Sequence, residues 1–472
     1  MTHMFLAVAS AQLIARANDN VALIPEVWSR EALATLMSNT IMAQLVHRDF
    51  SNLVADYGDV VNTSRPADFA GKRKTDADNV ITQDAVSPNI AVPLDQHFHV
   101  SYVIKDGEMS KALPDLLERY MEPAARELAE KVDQVLAGQV ARLLVNQVGE
   151  ANSITSLNVD DVILDADQKL NDNRAPKGGR YLLMSSRFNR AALGAEIVVE
   201  ADKRGDQGTA LREASVGRIY GFDSFMDQNV PHVSIDSAEV APGVTDAAEV
   251  VGSTVIEATN AIANVTNAGG EYITIAGSPY LHRIASATAD TAASDITLTE
   301  GLVGAAASGA AVTVYMACDV KGALPVNYAK EVIVDGFAAN KGPQVGQLIT
   351  FGVAGASHTY TVISVTKTTT TEYAILLDRP LSSALTDNQL AFPGPAGSRN
   401  LAFSRDAIAL VSRPLSPVPA GMGASSAVAS FDGLSMRVVM QYDALAQGMR
   451  VTFDMLLGTA ILDARLAVAV NG

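Results

Sequence analysis

Residues 109–149 read MSKALPDLLERYMEPAARELAEKVDQVLAGQVARLLVNQVG. Leu113, Leu116, Leu117, Tyr120, Met121, Ala124, Leu128, Val132, Val135, Leu136, Leu143 and Leu144 recur on one helical face, so the spacing predicts a single amphipathic helix over 109–148. Ser110 is the expected N-cap and Gly149 the expected stop. Pro114 falls in the tolerated first turn. Pro123 should bend or break the helix, because it lacks a donor and clashes with the carbonyl one turn back. A continuous rod of this kind would span roughly 55–60 Å at about 1.5 Å per residue. That length suits a structural spine better than a compact catalytic domain.

Upstream, Trp28, Leu33, Leu36, Met37, Ile41 and Leu45 recur at spacings of three to five and predict an amphipathic helix in an arm. Val60 and Val61 open a strand that must end before Pro66. A polar, turn-rich stretch follows, locally basic at Lys72, Arg73 and Lys74. AVPLDQHFHVSYVIKDG (91–107) then alternates as an extended strand. Two strands around a long polar tip predict a protruding β-hairpin over 58–106. Such a hairpin buries too little to stand alone, so it needs another surface to lie on.

Downstream, 158–232 reads as an α/β unit: a helix around Val162 to Leu170, the strand in GGRYLLMSS, then a short helix. From 233 to 398 the helical pattern vanishes. TVIEAT, EYITIA, AVTVYMA, KEVIVDGF, QLITFG, HTYTVISV and EYAILLD are short strands between turn residues, predicting one or two β-barrel or β-sandwich modules inserted into the α/β unit. After the insert, Ala402 to Leu410 fits a helix or a strand. Leu434 to Tyr442 and Met449 to Phe453 read as paired strands, Asp454 to Leu457 as a turn, and Ala460 to Val470 as a final strand.

Composition limits the functions open to these elements. Only 18% of the residues are charged, which suits a surface largely covered by neighbours, where stripping water from charge is costly. A formal net charge of −17 argues against a grip on nucleic acid through many phosphate contacts. Cys318 is the one cysteine, so a single chain holds neither a disulfide framework nor a cysteine metal cluster. The opening MTHMFLAVASAQLIARA lacks a positive n-region, which argues against a secretory signal, and no apolar run has membrane-spanning length.

Motifs for chemistry are missing. GKRKT (71–75) has no glycine nest before its lysine, and no strand is followed by GxGxxG. His97 and His99 share one face of a strand, but no third ligand accompanies them, and they read as ordinary strand residues. The acidic run 165–173 has no calcium-loop register. Cys318, in an apolar β run, reads as a small buried hydrophobe. The expectation is a protein that is not an enzyme, with no catalytic, cofactor-binding or metal residues and no cofactor.

The order of elements, taken with several quoted segments, resembles the major capsid proteins of tailed bacteriophages. PEVWSREALATLMSNTIMAQLVHRDF (25–50) is similar to the family's arm. GDVVNTSRP (58–66) and NIAVPLDQHFHVSYVIKD (89–106) are similar to the two strands of its extended loop. LLERYMEPAARELAEKVDQVLAGQV (116–140) resembles its spine, with the proline and the following Asp133. GGRYLLMSS, LREASVGRIYGFDSFMDQNVP and NLAFSRDAIALVSRPL resemble its axial domain. The stretch 436–470, with Asp454, Leu456 and Gly458 in a D-x-L-x-G pattern, resembles its closing strands. The style is most similar to coat proteins of short-tailed phages that carry an inserted β domain.

The resemblance implies an α+β chain with the Hong Kong 97-like major capsid protein fold. Its parts would be an N-terminal arm (1–57), an extended loop (58–106), a peripheral spine helix (107–157), an axial domain (158–232 and 399–425), an inserted β-rich domain (233–398) and closing peripheral strands (426–472). It implies self-assembly into pentamers and hexamers of an icosahedral head around double-stranded DNA held without sequence-specific contact, in the virion, after assembly in the host cytoplasm. The implied partners are further copies of the chain, a scaffolding protein, a portal and, in some heads, a decoration protein, with no membrane. Expected intersubunit contacts are Trp28 and the basic Arg65, Lys72, Arg73 and Lys74 against the acidic Glu118, Glu122 and Glu127. Two alternatives remain open at this point: an encapsulin-like nanocompartment shell and a β-rich surface binding module.

Overall fold

In the computed structural model, residues 23–48, 60–65, 69–74, 79–80, 82–109, 120–199, 213–234, 240–259, 270–288, 294–315, 317–337, 342–352, 358–419 and 423–472 are described. The arm is two helices where the periodicity predicts one: α1 (Leu23–Asn39) and α2 (Met42–Leu45). The break at Thr40–Ile41 has a clear cause. The backbone N–H groups of Ile41 and Ala43, which a continuous helix would bond to its own carbonyls, donate instead to the Asp133 carboxylate at 2.8 and 3.1 Å.

The spine also departs from the single rod. Helix α3 runs from Glu122 to Gly138, tightens into a 3₁₀ turn over Gln139–Arg142, and gives way to the short strand β4 (Gln147–Val148). Tyr120 and Met121 form a π turn directly before α3, and Met121 keeps helical angles (φ −73°, ψ −47°), so the helical chain is irregular just ahead of Pro123. Pro123 itself lies in the first turn of α3, where its missing donor costs little. Gly149 follows β4 at φ 77° and ends no helix; an added Cβ there would lie 2.5 Å from the Asn471 carbonyl oxygen. The expected N-cap Ser110 lies outside the described residues. From Met121 on, the apolar stripe faces the core: Leu128, Val132, Val135 and Leu136 are buried with Trp28, Leu33 and Leu36 of α1. Tyr120 is exposed, and Leu113, Leu116 and Leu117 lie outside the described residues.

The predicted hairpin is shorter than its two apolar runs. β1 (Val60–Ser64) pairs antiparallel with β2 (Asn89–Pro93), and the chain then breaks at Leu94–Asp95. β3 (Gln96–Lys105) leaves the hairpin and pairs along its length with β25 (Gly448–Ile461). β25 is the backbone of a five-stranded sheet. β24 (Leu434–Asp443) and β22 (Ile408–Arg413) pair with it, and β23 (Ala424–Phe431) pairs with β24. The turn expected at Asp454 to Leu457 is therefore continuous strand. Asp454 stands opposite Arg437 on β24, which binds it through two bonds, Nε to Oδ1 at 3.0 Å and Nη2 to Oδ2 at 2.5 Å. A cross-strand pair of this kind favours pairing over a turn.

The second sheet holds the α/β unit. Its strands run β4, β26 (Ala467–Asn471), β21 (Gly397–Ser404), β5 (Arg180–Met184), β7 (Phe222–Met226) and β6 (Arg218–Ile219), with β8 (His232–Val233) also on β21. Helices α4 (Val159–Asp172) and α5 (Ser186–Leu193) supply Ile163, Ala166, Leu170 and Phe188 to its core. The two sheets exchange strands. β22 sits in the five-stranded sheet although it follows β21 directly, and the single final strand expected over 460–470 is the end of β25 plus β26, which closes the other sheet. The 3₁₀ turns Arg405–Ala407 and Ala464–Leu466 make these crossings.

The insert is two closed six-stranded barrels. The first comprises β9 (Val240–Thr245), β10 (Val255–Thr259), β11 (Tyr272–Ile275), β12 (Ser278–Thr288), β13 (Ser294–Leu298) and β14 (Ala311–Tyr315). The second comprises β15 (Cys318–Val320), β16 (Val332–Asp335), β17 (Leu348–Phe351), β18 (His358–Lys367), β19 (Tyr373–Leu377) and β20 (Leu390–Pro393). Each encloses its own apolar core. Closure removes the unpaired edges that strands this short would otherwise expose.

Candidate interaction surface

The β1–β2 hairpin stands on a narrow apolar base. Val61 and Val92 pack on Ala409, Val411 and Ala460 of the sheet beneath. Gly458 permits the contact, since an added Cβ would lie 2.1 Å from the Pro93 carbonyl oxygen. Polar bonds continue the ladder outward: Asn89 Nδ2 donates to Asn62 Oδ1 at 3.0 Å, and the Arg65 N–H donates to the Pro88 carbonyl at 3.2 Å.

Beyond this base, the described tip residues turn their side chains to solvent. Phe69, Val80 and Val86 are 66%, 76% and 71% exposed, beside exposed Lys72, Arg73 and Lys74. Apolar and cationic groups held out together on a projecting element make a surface suited to another protein.

A groove of about 690 Å³ runs between β3, α3 and the second barrel. His97, Phe98, Glu127, Lys131, Tyr328 and Glu331 are among its lining residues. Its charges are mixed. Glu127 is half exposed and pairs with Lys131 one turn on at 3.4 Å. Glu122 is exposed on α3.

The expected contact residues therefore divide. Trp28 is 8% exposed and sits in the chain's own core beside Ala32 and Leu36, so its anchor role is within the protomer. Arg65 faces Asp463 of the same chain at 3.6 Å, which turns it toward its own sheet. Lys72, Arg73 and Lys74 are exposed at the tip. Glu118 lies outside the described residues.

Sequence reading noted Asp133 only within the spine's resemblance and gave it no role. It is fully buried on α3, and burial pushes its carboxyl up to about 7, reinforced by the nearby Asp227 carboxylate and opposed by the N–H groups of Ile41, Ala43 and Met42. An acidic residue inside an apolar stripe was the available signal. His97 and His99 are not brought to a third ligand: His97 Nε2 lies 3.7 Å from Asp454 Oδ2, and Asp454 is held by Arg437. Among the described residues, no three His, Cys, Asp or Glu side chains converge as a metal site, and no helix is long and apolar enough to cross a membrane. Cys318 is buried, and burial drives its thiol well above the ordinary range.

The sequence profile of the family described as P22 coat protein, gene protein 5, matches residues 17–323. That is more than half of the chain.

The chain belongs to the P22 coat protein family.

It is a phage coat protein, a structural component of the virion with a Hong Kong 97-like fold carrying β-barrel insertions. Membership makes it a structural and not a catalytic protein. The family match takes in the arm helices, the hairpin, α3, the 158–232 part of the α/β unit and the first barrel. Comparison with curated proteins gives no match. Among solved structures, the coat protein is similar to a chain of Mycobacterium phage Che8, with 12% identity over 92% of this chain and 91% of that one and a TM-score of 0.44. It is similar to a chain in the capsid of cyanophage P-SCSP1u, with 11% identity over 92% and 88% and a TM-score of 0.43. It is also similar to a chain in the mature capsid of bacteriophage PhiM1, with 9% identity over 88% and 82% and a TM-score of 0.39.

Proposed function

We propose that this coat protein assembles into the pentamers and hexamers of an icosahedral head that encloses double-stranded DNA. The observation that carries the reading is the hairpin: a narrow base, and a tip whose Phe69, Val80 and Val86 face solvent. A lone two-stranded element with apolar groups in water is poorly stable, and a neighbouring copy that covers it removes the penalty. On this reading, 1–57 serves as the arm and 58–106, which carries the hairpin, as the extended loop. The 107–157 region is the spine, 158–232 with 399–425 the axial part, and 426–472 the peripheral strands. Lys72, Arg73 and Lys74 lie over an acidic neighbour surface that includes Glu122 and Glu127. The negative net charge leaves packaged DNA mobile. A scaffolding protein and a portal direct closure in the host cytoplasm.

Sedimentation of the purified protein, alone and with its scaffolding partner, tests this reading. The expected result is conversion of subunits into particles of a single large size. A chain that stays monomeric at every concentration, with and without the partner, would contradict it.

A further inference from the structure

The two barrels follow one plan. Around the ring, the first runs β10-β13-β12-β11-β14-β9, and the second runs β16-β19-β18-β17-β20-β15. Taken in chain order, each strand of the first has its counterpart in the second. The registers correspond as well. Tyr272 faces Arg283 as Leu348 faces Thr361, Ile256 faces Ile296 as Val332 faces Ile375, and Val312 faces Gly243 as Ala391 faces Cys318.

Several irregularities are shared too, and barrel closure alone does not require them, although the first barrel also shifts register between Ile273 and Ile275 where the second pairs regularly. The fourth strand bulges between Ile284 and Ser286 in one barrel and between Val362 and Ser364 in the other. An isolated antiparallel bridge joins Glu249 to Ala306 in one and Leu324 to Leu385 in the other. Left-handed residues fall at the same places: Gly252 (φ 88°) with Asn327 (φ 62°), and Gly309 (φ 77°) with Asn388 (φ 59°). Glycine and asparagine are the residues that tolerate this conformation. Loop bonds repeat in step, as in Leu302 N to Ser253 O and Leu381 N to Tyr328 O. A few side chains persist, among them Ile296 with Ile375, Leu298 with Leu377 and Leu302 with Leu381, all buried.

One corner differs. In the first barrel the residues after β13 are Thr299 and Glu300, both exposed. In the second they are Asp378, fully buried, and Arg379. Asp378 Oδ1 accepts the Thr361 N–H at 2.9 Å, and Oδ2 accepts Arg379 Nη1 at 2.7 Å. The Asp378 carbonyl accepts Gln96 Nε2 at the start of β3 at 3.0 Å. Thr361 Oγ1 donates to the Gly138 carbonyl at the end of α3 at 3.0 Å. Gly138 makes room for this, since an added Cβ would lie 2.6 Å from Asp378 Cβ.

We infer that the insert is a tandem repeat of one barrel module, and that the second copy has become an internal clamp fastening the end of α3 to the start of β3 through Asp378 and Thr361. The family match spans the whole first repeat and ends at residue 323, just past the first strand of the second. The inference does not depend on the proposed head assembly.

Hydrogen exchange on the full-length protein tests both parts. Asp378→Thr installs the residue found at the matching place in the first repeat. Amides at 96–97, 138–142 and 361 should then exchange about ten-fold faster or more, while β15, β16, β17 and β20 keep their protection. Unchanged exchange at 138–142, or loss of protection across all of 318–393, would overturn the clamp. In a second variant, residues 300–310 replace 379–389, an exchange of equal length. A second barrel that stays protected supports the repeat. A second barrel that loses protection throughout, with 240–315 unaffected, overturns it.

Discussion

The buried Asp133 carboxylate on α3 accepts the backbone N–H of Ile41 at 2.8 Å and so fixes where the arm meets the spine. The bond interrupts a helix that the arm's own periodicity would continue, and it holds α2 against α3. Replacing Asp133 with Ala leaves the N–H groups of Ile41 and Ala43 without this acceptor, in a region where Ala43 is fully buried. The expected cost is about 1–3 kcal/mol, read from chemical denaturation.

The same carboxyl gives a pH dependence of defined sign. Its folded value, about 7, lies above its ordinary 3.8, so the folded state binds this proton more tightly than the unfolded chain does. The stability it contributes is complete below the ordinary value and is lost as pH rises through the folded one. Asp133→Asn should flatten the stability profile between these limits. An unchanged slope in the Asn variant would show that the carboxyl does not titrate there.

Gly458 is the place where the hairpin base crosses β25. Gly458→Ala puts a methyl against the Pro93 carbonyl, and the backbone of one strand must shift. Overpacking of this kind costs about 1–3 kcal/mol. Protease cleavage within 58–95 should accelerate, while the barrels keep wild-type resistance.

Asp454→Ala removes the buried partner of a partly buried guanidinium. Arg437 keeps its bond to the Ser416 carbonyl, which limits the damage. A loss of about 3 kcal/mol is expected, and Asp454→Asn, which retains one acceptor, should lose less. Thermal unfolding of both variants would check the order.

The basic tip separates folding from assembly. Exchanging Lys72, Arg73 and Lys74 together for Glu should leave the subunit's unfolding free energy within the small range of exposed surface changes, about ±0.5 kcal/mol each. Particle yield should fall sharply. A variant that assembles normally would remove these residues from the interface.

The sequence was most legible where pattern and packing agree. The α3 stripe, the Val60–Val61 strand, the α/β unit and the β-rich insert were all readable from periodicity and turn residues. It misled where a distant side chain decides local structure. Asp133, distant in sequence but in direct contact, ends α1, and Arg437 keeps Asp454 in a strand where neighbouring residues suggested a turn. The place of Trp28 in the chain's own core was not legible, because composition cannot tell which apolar surface covers a residue. The doubled barrel was hidden because a barrel core needs only apolar residues of suitable size, so Ala306 can stand where Leu385 stands, and few identities survive.

Cryo-electron microscopy of particles formed by the chain, together with its scaffolding partner, tests the central claim most directly. The account predicts closed shells in which this chain repeats in fives and sixes, each hairpin tip lying over an adjacent copy. Shells with the tips in solvent, or no closed shells under any condition that keeps the subunit folded, would contradict it.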